Sequence, residues 1–233
     1  MSVFIFDVDG TLTPSRQRID FGFESWFADF CLDNEVVLVT GSDRPKTIEQ
    51  LGNFVYSRVS RAYQCSGNQV WQYGKVIRES DWRLPESVHE YLSERLTQSH
   101  YPVRTGNHFE HRVGMCNFSI VGRNAKPLER NYYFNWDSEK QERADIARCV
   151  EQMFPDVSAT VGGETSIDLY AKGCDKSQIV GDFDDEYMIF FGDMICENGN
   201  DLTIARAIEA KNGVVHSVQN WQETFQILVD VYN

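Results

Sequence analysis

The chain has 233 residues, of which 42% are hydrophobic and 13% aromatic, so it can bury one good core or a core and a smaller lobe. The formal net charge of −13 disfavours nucleic acids and anionic membranes as partners and repels anionic ligands at long range, so any phosphate site must be a local basic pocket. The six cysteines form no CxxC pair, so we expect neither a zinc site nor a disulfide framework. No segment looks like a membrane span or a signal peptide, so we expect a soluble cytoplasmic protein.

The first predicted element is a buried strand over Val3 to Phe6, followed at once by the polar string DVDGTLT. Asp7 therefore lies at the carboxyl end of a core strand, which is the edge where open α/β sheets bind ligands. Asp7 and Asp9 are two residues apart, so their carboxylates point the same way and repel each other. Mg2+ would relieve that repulsion, because it is typically held by one or two carboxylates and a substrate phosphate. Gly10 lets backbone N–H groups approach that phosphate.

Other interpretations of this string lead elsewhere. Taken alone, an Asp-x-Asp-Gly sequence is more often an ordinary turn. An EF-hand calcium loop is excluded because, counted from Asp7, Leu12 stands where the loop needs Gly and Arg18 where it needs Glu. The wider string, an apolar strand followed by DVDGTLT, resembles the first motif of the haloacid dehalogenase (HAD) superfamily of phosphotransferases.

A helix and a second buried strand come next in the chain. Asp20 is predicted to cap a helix with an apolar face between Phe23 and Cys31. The following strand, residues 36–39, ends in polar residues, and Pro45 marks the first turn of another helix. This alternation of strand and helix predicts a parallel sheet.

The polar end of the second strand supplies a candidate hydroxyl group. Thr and Ser at such a point usually cap the next helix, but a hydroxyl there can also donate to a phosphoryl oxygen. The position resembles the second motif of the superfamily, which favours Thr40 over Ser42 as the phosphate-contacting residue.

An inserted lobe is predicted after a hairpin at residues 61–75, so that residues 1–81 and 173–233 form the catalytic core and residues 82–172 a cap. Alternating patterns at 115–121 and 165–171 predict strands with one polar and one apolar face, and an amphipathic helix is predicted over 138–154. A polar sheet face is most often simply solvated. Here it is a candidate phosphate site, because the same lobe of this acidic protein carries arginines, whose forks suit phosphate: Arg104, Arg112, Arg123 and Arg130.

The C-terminal part is predicted to return to the core. Lys176 matches the phosphate-neutralising lysine of the superfamily, with Lys172 as its rival and a solvated surface lysine as the plain alternative. A buried strand at 187–191 ends in Asp193, which repeats the layout of the opening motif and is predicted to hold magnesium with Asp7 and Asp9. Asn200 and Asp201 resemble the outer members of that motif, which hold the waters of the metal or the lysine. A helix at 204–210, a strand at 214–218 and a closing helix at 221–232 complete the core.

Five longer stretches sharpen the resemblance from superfamily to family: DVDGTLTPSRQRI, GSDRPKTIEQLG, HRVGMCNFSIVGRNAKPLER, VGGETSIDLYAKGCDK and FFGDMICENGNDL. Together they cover most of the chain in the family order and resemble the eukaryotic-type α-phosphomannomutases. The resemblance implies an α/β fold, a HAD-type Rossmann-like parallel-sheet core with an inserted type IIB α/β cap. It assigns phosphosugar binding to four arginines and to two further cap residues: Arg16, Arg112, Arg123, Arg130, Ser166 and Asp168.

Two stretches depart from the family pattern. Thr40 to Asp43 (TGSD) replaces Gly-Gly-Ser-Asp and is closer to HAD phosphatases, and Cys65 to Gln69 (CSGNQ) replaces Pro-Glu-Asn-Gly-Leu. Three hypotheses follow: a mutase that interconverts mannose 1-phosphate and mannose 6-phosphate, a Mg-dependent phosphatase acting on a phosphosugar, and a non-catalytic phosphosugar-binding protein. The last would have no reason to keep the acidic motifs and their lysine together.

The resemblance also implies a mechanism and partners. Asp7 would carry the phosphoryl group as an aspartyl phosphate, Asp9 would move the proton of the sugar oxygen, and Thr40 and Lys176 would help Mg2+ to neutralise the phosphoryl oxygens. A mutase would need a hexose 1,6-bisphosphate as activator. The family resemblance alone implies a homodimer formed through the cap.

Overall fold

The computed structural model describes residues 2–197 and 199–232. In chain order its strands are β1 (Ser2–Phe6), β2 (Glu35–Val39), β3 (Arg61–Gln64), β4 (Gln69–Gln72), β5 (Lys75–Glu79), β6 (Phe109–Arg112), β7 (Met115–Phe118), β8 (Val157–Gly162), β9 (Ser166–Ala171), β10 (Tyr187–Gly192) and β11 (Val214–Ser217). Its α-helices are α1 (Phe21–Asp33), α2 (Arg44–Tyr56), α3 (Glu86–Gln98), α4 (Pro127–Lys140), α5 (Glu142–Met153), α6 (Leu202–Ala210) and α7 (Trp221–Val231). None of these helices, within the described residues, combines the length and apolar character needed to cross a membrane.

The larger sheet has seven strands in the order β11-β10-β1-β2-β3-β4-β5, and the five from β11 to β3 are parallel. Successive residues of β1 face opposite sides, so Phe4 and Phe6 pack on one helical layer while Val3 and Ile5 pack on the other. All four are at most 5% exposed. The predicted strand with two buried faces and the predicted parallel-sheet core are therefore confirmed.

The smaller sheet is antiparallel, in the order β6-β7-β9-β8. Its apolar face, which includes Phe118, Ile167 and Leu169, packs on helices α3, α4 and α5. Its polar face, which includes Asp168, is turned toward the carboxyl ends of the core strands and is also buried. The predicted alternation is confirmed, and the polar face is not solvated, because it closes over the core.

One predicted helix was wrong at its beginning. A single helix was expected over residues 138–154, but Ser138 belongs to α4 and a break at Gln141, with a left-handed φ of 55°, separates α4 from α5. The buried Asp137 carboxylate accepts from the Arg143 backbone N–H at 3.0 Å and from its Nε at 2.6 Å, which fixes the break. Helix α4 was not predicted, because its sequence has no clear apolar stripe.

Two connections join the cap to the core, and Asn68 contacts both of them. The backbone N–H of Ser80, after β5, donates to the Asn68 carbonyl oxygen at 2.8 Å. The Asn68 side-chain amide donates to the carbonyl oxygen of Cys174, after β9, at 3.0 Å. The domain boundaries predicted after residues 81 and 172 fall in these connections and stay a prediction.

Candidate active site

A cavity lies between the polar face of the cap sheet and the carboxyl ends of β1, β2 and β10. Parallel strands of the core bring their ends, and hence their terminal carboxylates, to this one edge. The predicted site residues that line the cavity are Asp7, Asp9, Arg16, Thr40, Arg112, Arg123, Arg130, Ser166, Asp168, Asp193 and Asn200. Lys176 and Asp201 lie in the wall behind Asp7.

The floor of the cavity contains a buried lysine between two carboxylates. Lys176 Nζ donates to Asp7 Oδ1 at 2.6 Å and to Asp201 Oδ1 at 2.7 Å, and the three side chains are at most 6% exposed. Burial raises the pKa of Asp7 more than the Lys176 charge lowers it. Burial would lower the pKa of Lys176, but the charges of Asp201 and Asp7 raise it overall, so the lysine stays charged.

A third carboxylate completes the acidic cluster. One oxygen each of Asp7, Asp193 and Asp201 lies within 4.8 Å of the others. Burial, and then the charge of Asp201, raise the pKa of Asp193 to about 7. Gly10, at φ 84°, makes room for Asp193, since a Cβ there would collide with its carboxylate. A cluster of oxygen donors with excess negative charge fits a hard divalent cation such as Mg2+.

Asp9 is held by hydrogen bonds from the chain itself. Its Oδ1 accepts from the Arg16 backbone N–H at 2.7 Å and from Gln50 Nε2 at 2.9 Å, and Ser42 Oγ lies 3.4 Å from its Oδ2. The carboxylate therefore lines the cavity beside Asp7 in a fixed orientation, outside the group formed by Asp7, Asp193 and Asp201. Its place as a metal ligand stays a prediction. Sequence reasoning missed Gln50, although it stands in one of the family-like stretches.

Thr40 contributes a hydroxyl group at the end of β2. Its Oγ1 accepts from the Ser42 backbone N–H at 3.1 Å, which leaves the hydroxyl hydrogen available to an acceptor in the cavity. At 1% exposure, the side chain is held in a single environment by its packing.

Three cap arginines reach the cavity, each held by cap acids or hydroxyls. Arg112 donates from Nε and Nη2 to Glu110 Oε1 at 2.8 and 2.6 Å, and from Nη1 to the carbonyl oxygen of Gly41 in the core. Arg123 donates to the second oxygen of Glu110 and, at 2.8 Å, to Ser166 Oγ. The third, Arg130, donates to Glu164 at 3.0 Å and to Thr165 Oγ1 at 3.3 Å.

Electrostatics show how closely these guanidinium groups gather. Burial, and then the positive charges of Arg123 and Arg130, lower the pKa of Arg16 to about 10. Burial would raise the pKa of Glu110, but the charges of Arg112 and Arg123 outweigh it and bring it to about 2. The cavity thus contains the local basic pocket that an acidic protein needs to bind a phosphate group.

Sequence reasoning did not separate the arginines of the cap by role. Arg104 was grouped with the others, yet it donates to backbone carbonyls, including those of Leu96 and Ser99 at the end of α3, at 3.1 and 3.2 Å. Its role is to donate hydrogen bonds to carbonyl groups at the C-terminal end of α3. Glu110, which orients two arginines, was missed, because a lone Glu in a short strand carries no sequence signal of its own.

Ser166 and Asp168 lie together on the polar face of the cap, as predicted by alternation. Ser166 accepts from Arg123, and Asp168 Oδ1 accepts from Asn117 Nδ2 at 2.6 Å. Asn117 was placed on the same face by its spacing but was not recognised as a site residue. In the core, Asp201 Oδ2 accepts from the Met194 backbone N–H at 3.0 Å, which orients the loop after β10.

Comparisons with known proteins agree on the family and the fold. The family model described as eukaryotic phosphomannomutase matches residues 28–233. The phosphomannomutase of Saccharomyces cerevisiae is 31% identical over 100% of this chain and 94% of its own length, and that of Schizosaccharomyces pombe is 30% identical over 100% and 95%. A solved HAD subclass IIB sugar phosphatase matches with a TM-score of 0.60 and 13% identity over 97% of this chain and 98% of its own. That likeness concerns the fold, and it confirms the HAD-type core with its cap.

Proposed function

Because the chain belongs to the eukaryotic phosphomannomutase family, we propose that it interconverts mannose 1-phosphate and mannose 6-phosphate through an aspartyl-phosphate intermediate. One observation carries the proposal beyond family membership. Arg112, Arg123 and Arg130 of the cap, with Arg16, line the same cavity as the carboxylate of Asp7. A sugar bisphosphate needs this combination, since one phosphoryl group must meet a nucleophile while the other is gripped at a distance.

The chemical step belongs to Asp7 and Asp9. An Asp7 carboxylate oxygen attacks phosphorus, the bond from phosphorus to the sugar oxygen breaks, and Asp9 gives that oxygen its proton. Lys176 holds the other oxygen of Asp7 and keeps the carboxylate oriented. In the second half, a hydroxyl of the hexose monophosphate gives its proton to Asp9 and takes the phosphoryl group from Asp7. The resulting bisphosphate turns round, and its other phosphoryl group is transferred to Asp7.

Mg2+ fits the acidic cluster, with Asp7 and Asp193 as carboxylate ligands and Asp9 as the further ligand that the opening motif implies. When bound, it would supply positive charge to the phosphoryl oxygens. The hydroxyl of Thr40 is placed to donate to one of those oxygens. Asp201 is the third carboxylate of the cluster and holds Lys176, and Asn200 lines the cavity. A hexose 1,6-bisphosphate serves as the activator that first phosphorylates Asp7.

The closed cap favours transfer to a sugar over transfer to water. Arg112 joins the cap to the Gly41 carbonyl oxygen of the core, and Asp168 lies against Gly41, where an added Cβ would sit 3.2 Å from its Oδ2. These contacts narrow the cleft between cap and core, which would limit the access of water to the aspartyl phosphate.

A phosphosugar phosphatase is the second candidate, and Thr40 is the residue that favours it. The family usually has Gly at this position, whereas this chain has Thr40, which is closer to the pattern of HAD phosphatases. Such an enzyme would form the same aspartyl phosphate on Asp7, but it would transfer the phosphoryl group to water instead of to a sugar.

Phosphorus NMR separates the candidates. The protein is incubated with Mg2+, mannose 1-phosphate and a trace of hexose 1,6-bisphosphate. We expect mannose 6-phosphate as the main product. Free phosphate as the main product would establish the phosphatase instead, and the absence of turnover would leave only a binding protein.

The proposal includes a compartment and an assembly. All six cysteines are free thiols, which suits the reducing cytoplasm. A homodimer through the cap is supported by α4, where Leu128 and Tyr132, one turn apart, are 61% and 60% exposed. Light scattering tests it: a dimeric wild type and a monomeric Tyr132→Glu variant are expected, and a wild type that stays monomeric at high concentration would contradict it.

A further inference from the structure

A polar row of side chains crosses the cavity-facing side of the cap sheet. Glu110 on β6 pairs with Asn117 on β7, and Asn117 pairs with Asp168 on β9. Directly paired residues of an antiparallel sheet place their side chains side by side. Asn117 is thus the neutral residue between two carboxylates, and it lines the cavity while being 4% exposed.

Asn117 forms a hydrogen bond with one carboxylate oxygen of Asp168, and this bond determines the direction in which the other oxygen points. Its Nδ2 donates to Asp168 Oδ1 at 2.6 Å. The remaining Oδ2 lies in a space kept open by two glycines, since a Cβ on Gly162 would sit 2.6 Å from it and a Cβ on Gly41 3.2 Å from it. That space is the cleft between cap and core, where the proposed substrate binds.

The carbonyl end of Asn117 lacks a partner in the described part of the chain. Its Oδ1 is buried and accepts no hydrogen bond there. Because Nδ2 is committed to Asp168, exchanging the two ends of the amide would set an oxygen against a carboxylate, so the orientation is fixed. Leaving a buried acceptor without a donor is unfavourable, because the oxygen has given up its hydrogen bonds to water. An unsatisfied buried oxygen calls for an explanation, and the hydrogen bond from Nδ2 to Asp168 supplies it.

The chemistry of this corner selects hydroxyl groups and rejects phosphate. The free carboxylate oxygen of Asp168 is an acceptor only, so it repels phosphoryl oxygens and attracts O–H donors. Arg112, Arg123 and Arg130, which line the same cavity, have the opposite preference and attract phosphate. The cap therefore separates the recognition of the sugar ring from the recognition of its phosphate.

We infer that Asn117 is a positioning residue for the sugar ring, which holds Asp168 in place so that the free Oδ2 of Asp168 accepts a hydrogen bond from a ring hydroxyl of a hexose phosphate. The inference rests on the proposed function, because it needs a phosphosugar in the cavity. Asn117 acts through Asp168 alone. It takes no part in moving the phosphoryl group or its proton.

Calorimetry with two ligands tests the inference. Mannose 1-phosphate and inorganic phosphate are titrated into the wild type, Asn117→Ala and Asn117→Asp. For mannose 1-phosphate we expect Kd to rise about tenfold in Asn117→Ala, the equivalent of roughly 1.4 kcal/mol or one hydrogen bond. A larger rise is expected in Asn117→Asp, which keeps the shape but sets a charge against Asp168. The Kd of inorganic phosphate should stay within about twofold, because the arginines are untouched.

Two further measurements distinguish positioning from a structural role. In the double variant Asn117→Ala/Asp168→Ala, the loss should be close to that of Asp168→Ala alone, because Asn117 acts through Asp168. In turnover assays KM should rise with little change in kcat. Ser119→Ala is the matched control: Ser119 is buried, and its Oγ donates to the Thr165 carbonyl oxygen at 2.8 Å and accepts from the Gly122 backbone N–H at 3.2 Å. It should lower the melting temperature without changing the ratio of the two Kd values.

The result that overturns the inference is distinct from the one that overturns the proposed function. If the wild type binds mannose 1-phosphate and Asn117→Ala binds it equally well, or loses both ligands in equal measure, Asn117 does not position the sugar. Fully additive effects in the double variant would also refute it. If the wild type neither binds nor converts mannose 1-phosphate, the proposed function fails and this inference fails with it.

Discussion

The core and the cap both bury charged side chains in the same cavity, but with opposite signs. In the core, three carboxylates gather around a single lysine, and burial raises the pKa of Asp7 and Asp193. In the cap, arginines dominate, and their charges hold the pKa of Glu110 at about 2 although burial would raise it. The acidic side is suited to hold a metal and perform chemistry, and the basic side is suited to hold a phosphate. In the proposed function, catalysis and recognition are therefore divided between two sheets that face each other across the cavity.

The strongest test of this division is the loss of the nucleophile. Asp7→Asn should reduce turnover by at least about three orders of magnitude, because an amide cannot form the acyl phosphate. Steady-state kinetics measure the effect, and phosphosugar binding should persist. Asp20→Asn is the control, since Asp20 caps α1 and Asn caps a helix equally well. Substantial turnover in Asp7→Asn would end the assignment of the nucleophile.

The next effect concerns stability as well as activity. Lys176→Met removes the positive charge between Asp7 and Asp201 and leaves two buried carboxylates unpaired, which should cost about 3–5 kcal/mol of unfolding free energy. Urea unfolding at neutral pH measures it. Lys172→Met, at a lysine whose side chain is 61% exposed, should change stability by less than about 0.5 kcal/mol. If both variants lost the same unfolding free energy, Lys176 would not be the buried partner of Asp7 and Asp201.

A cap arginine should behave differently from the core residues. Arg112→Ala is expected to raise KM about 10- to 100-fold with a smaller change in kcat, because it removes a phosphate grip and leaves the chemistry in place. Arg104→Ala is the matched control, because its guanidinium serves the end of α3 and should affect melting temperature only. If Arg112→Ala abolished turnover as completely as Asp7→Asn, the division between recognition and chemistry would be wrong.

The smallest predicted effect is a pH dependence in the cap. The lowered pKa of Glu110 means that its ion pairs stabilise the fold fully above its ordinary pKa of 4.5, and that this stability is lost as the pH falls toward about 2. The difference in unfolding free energy between the wild type and Glu110→Gln should therefore shrink between pH 5 and pH 3. A difference that grows on acidification would contradict the sign.

Much of the core could be predicted because its signals are local. Buried parallel strands are continuous apolar runs, and the polar residues at the end of a run mark the ligand edge, so Asp7 and Asp193 were placed without a structure. The cap arginines were found by their resemblance to a family. Gln50 and Asn117 were missed, since a neutral amide side chain becomes a site residue only through its neighbours. The break at Gln141 depends on the pairing of Asp137 with Arg143 across it, which a search for apolar periodicity does not reveal.

The order of the core sheet has a consequence for biosynthesis. The middle one of its five parallel strands, β1, pairs with β10, which lies much later in the chain, as Ser2 pairs with Tyr187. At roughly 5–20 residues per second on the ribosome, β1 waits on the order of ten seconds or more for that neighbour. The cap is contiguous in sequence and can complete its own sheet earlier. The nascent chain thus carries a finished lobe beside an incomplete one whose apolar edge is open to aggregation, and this is the stage at which a chaperone would help it most.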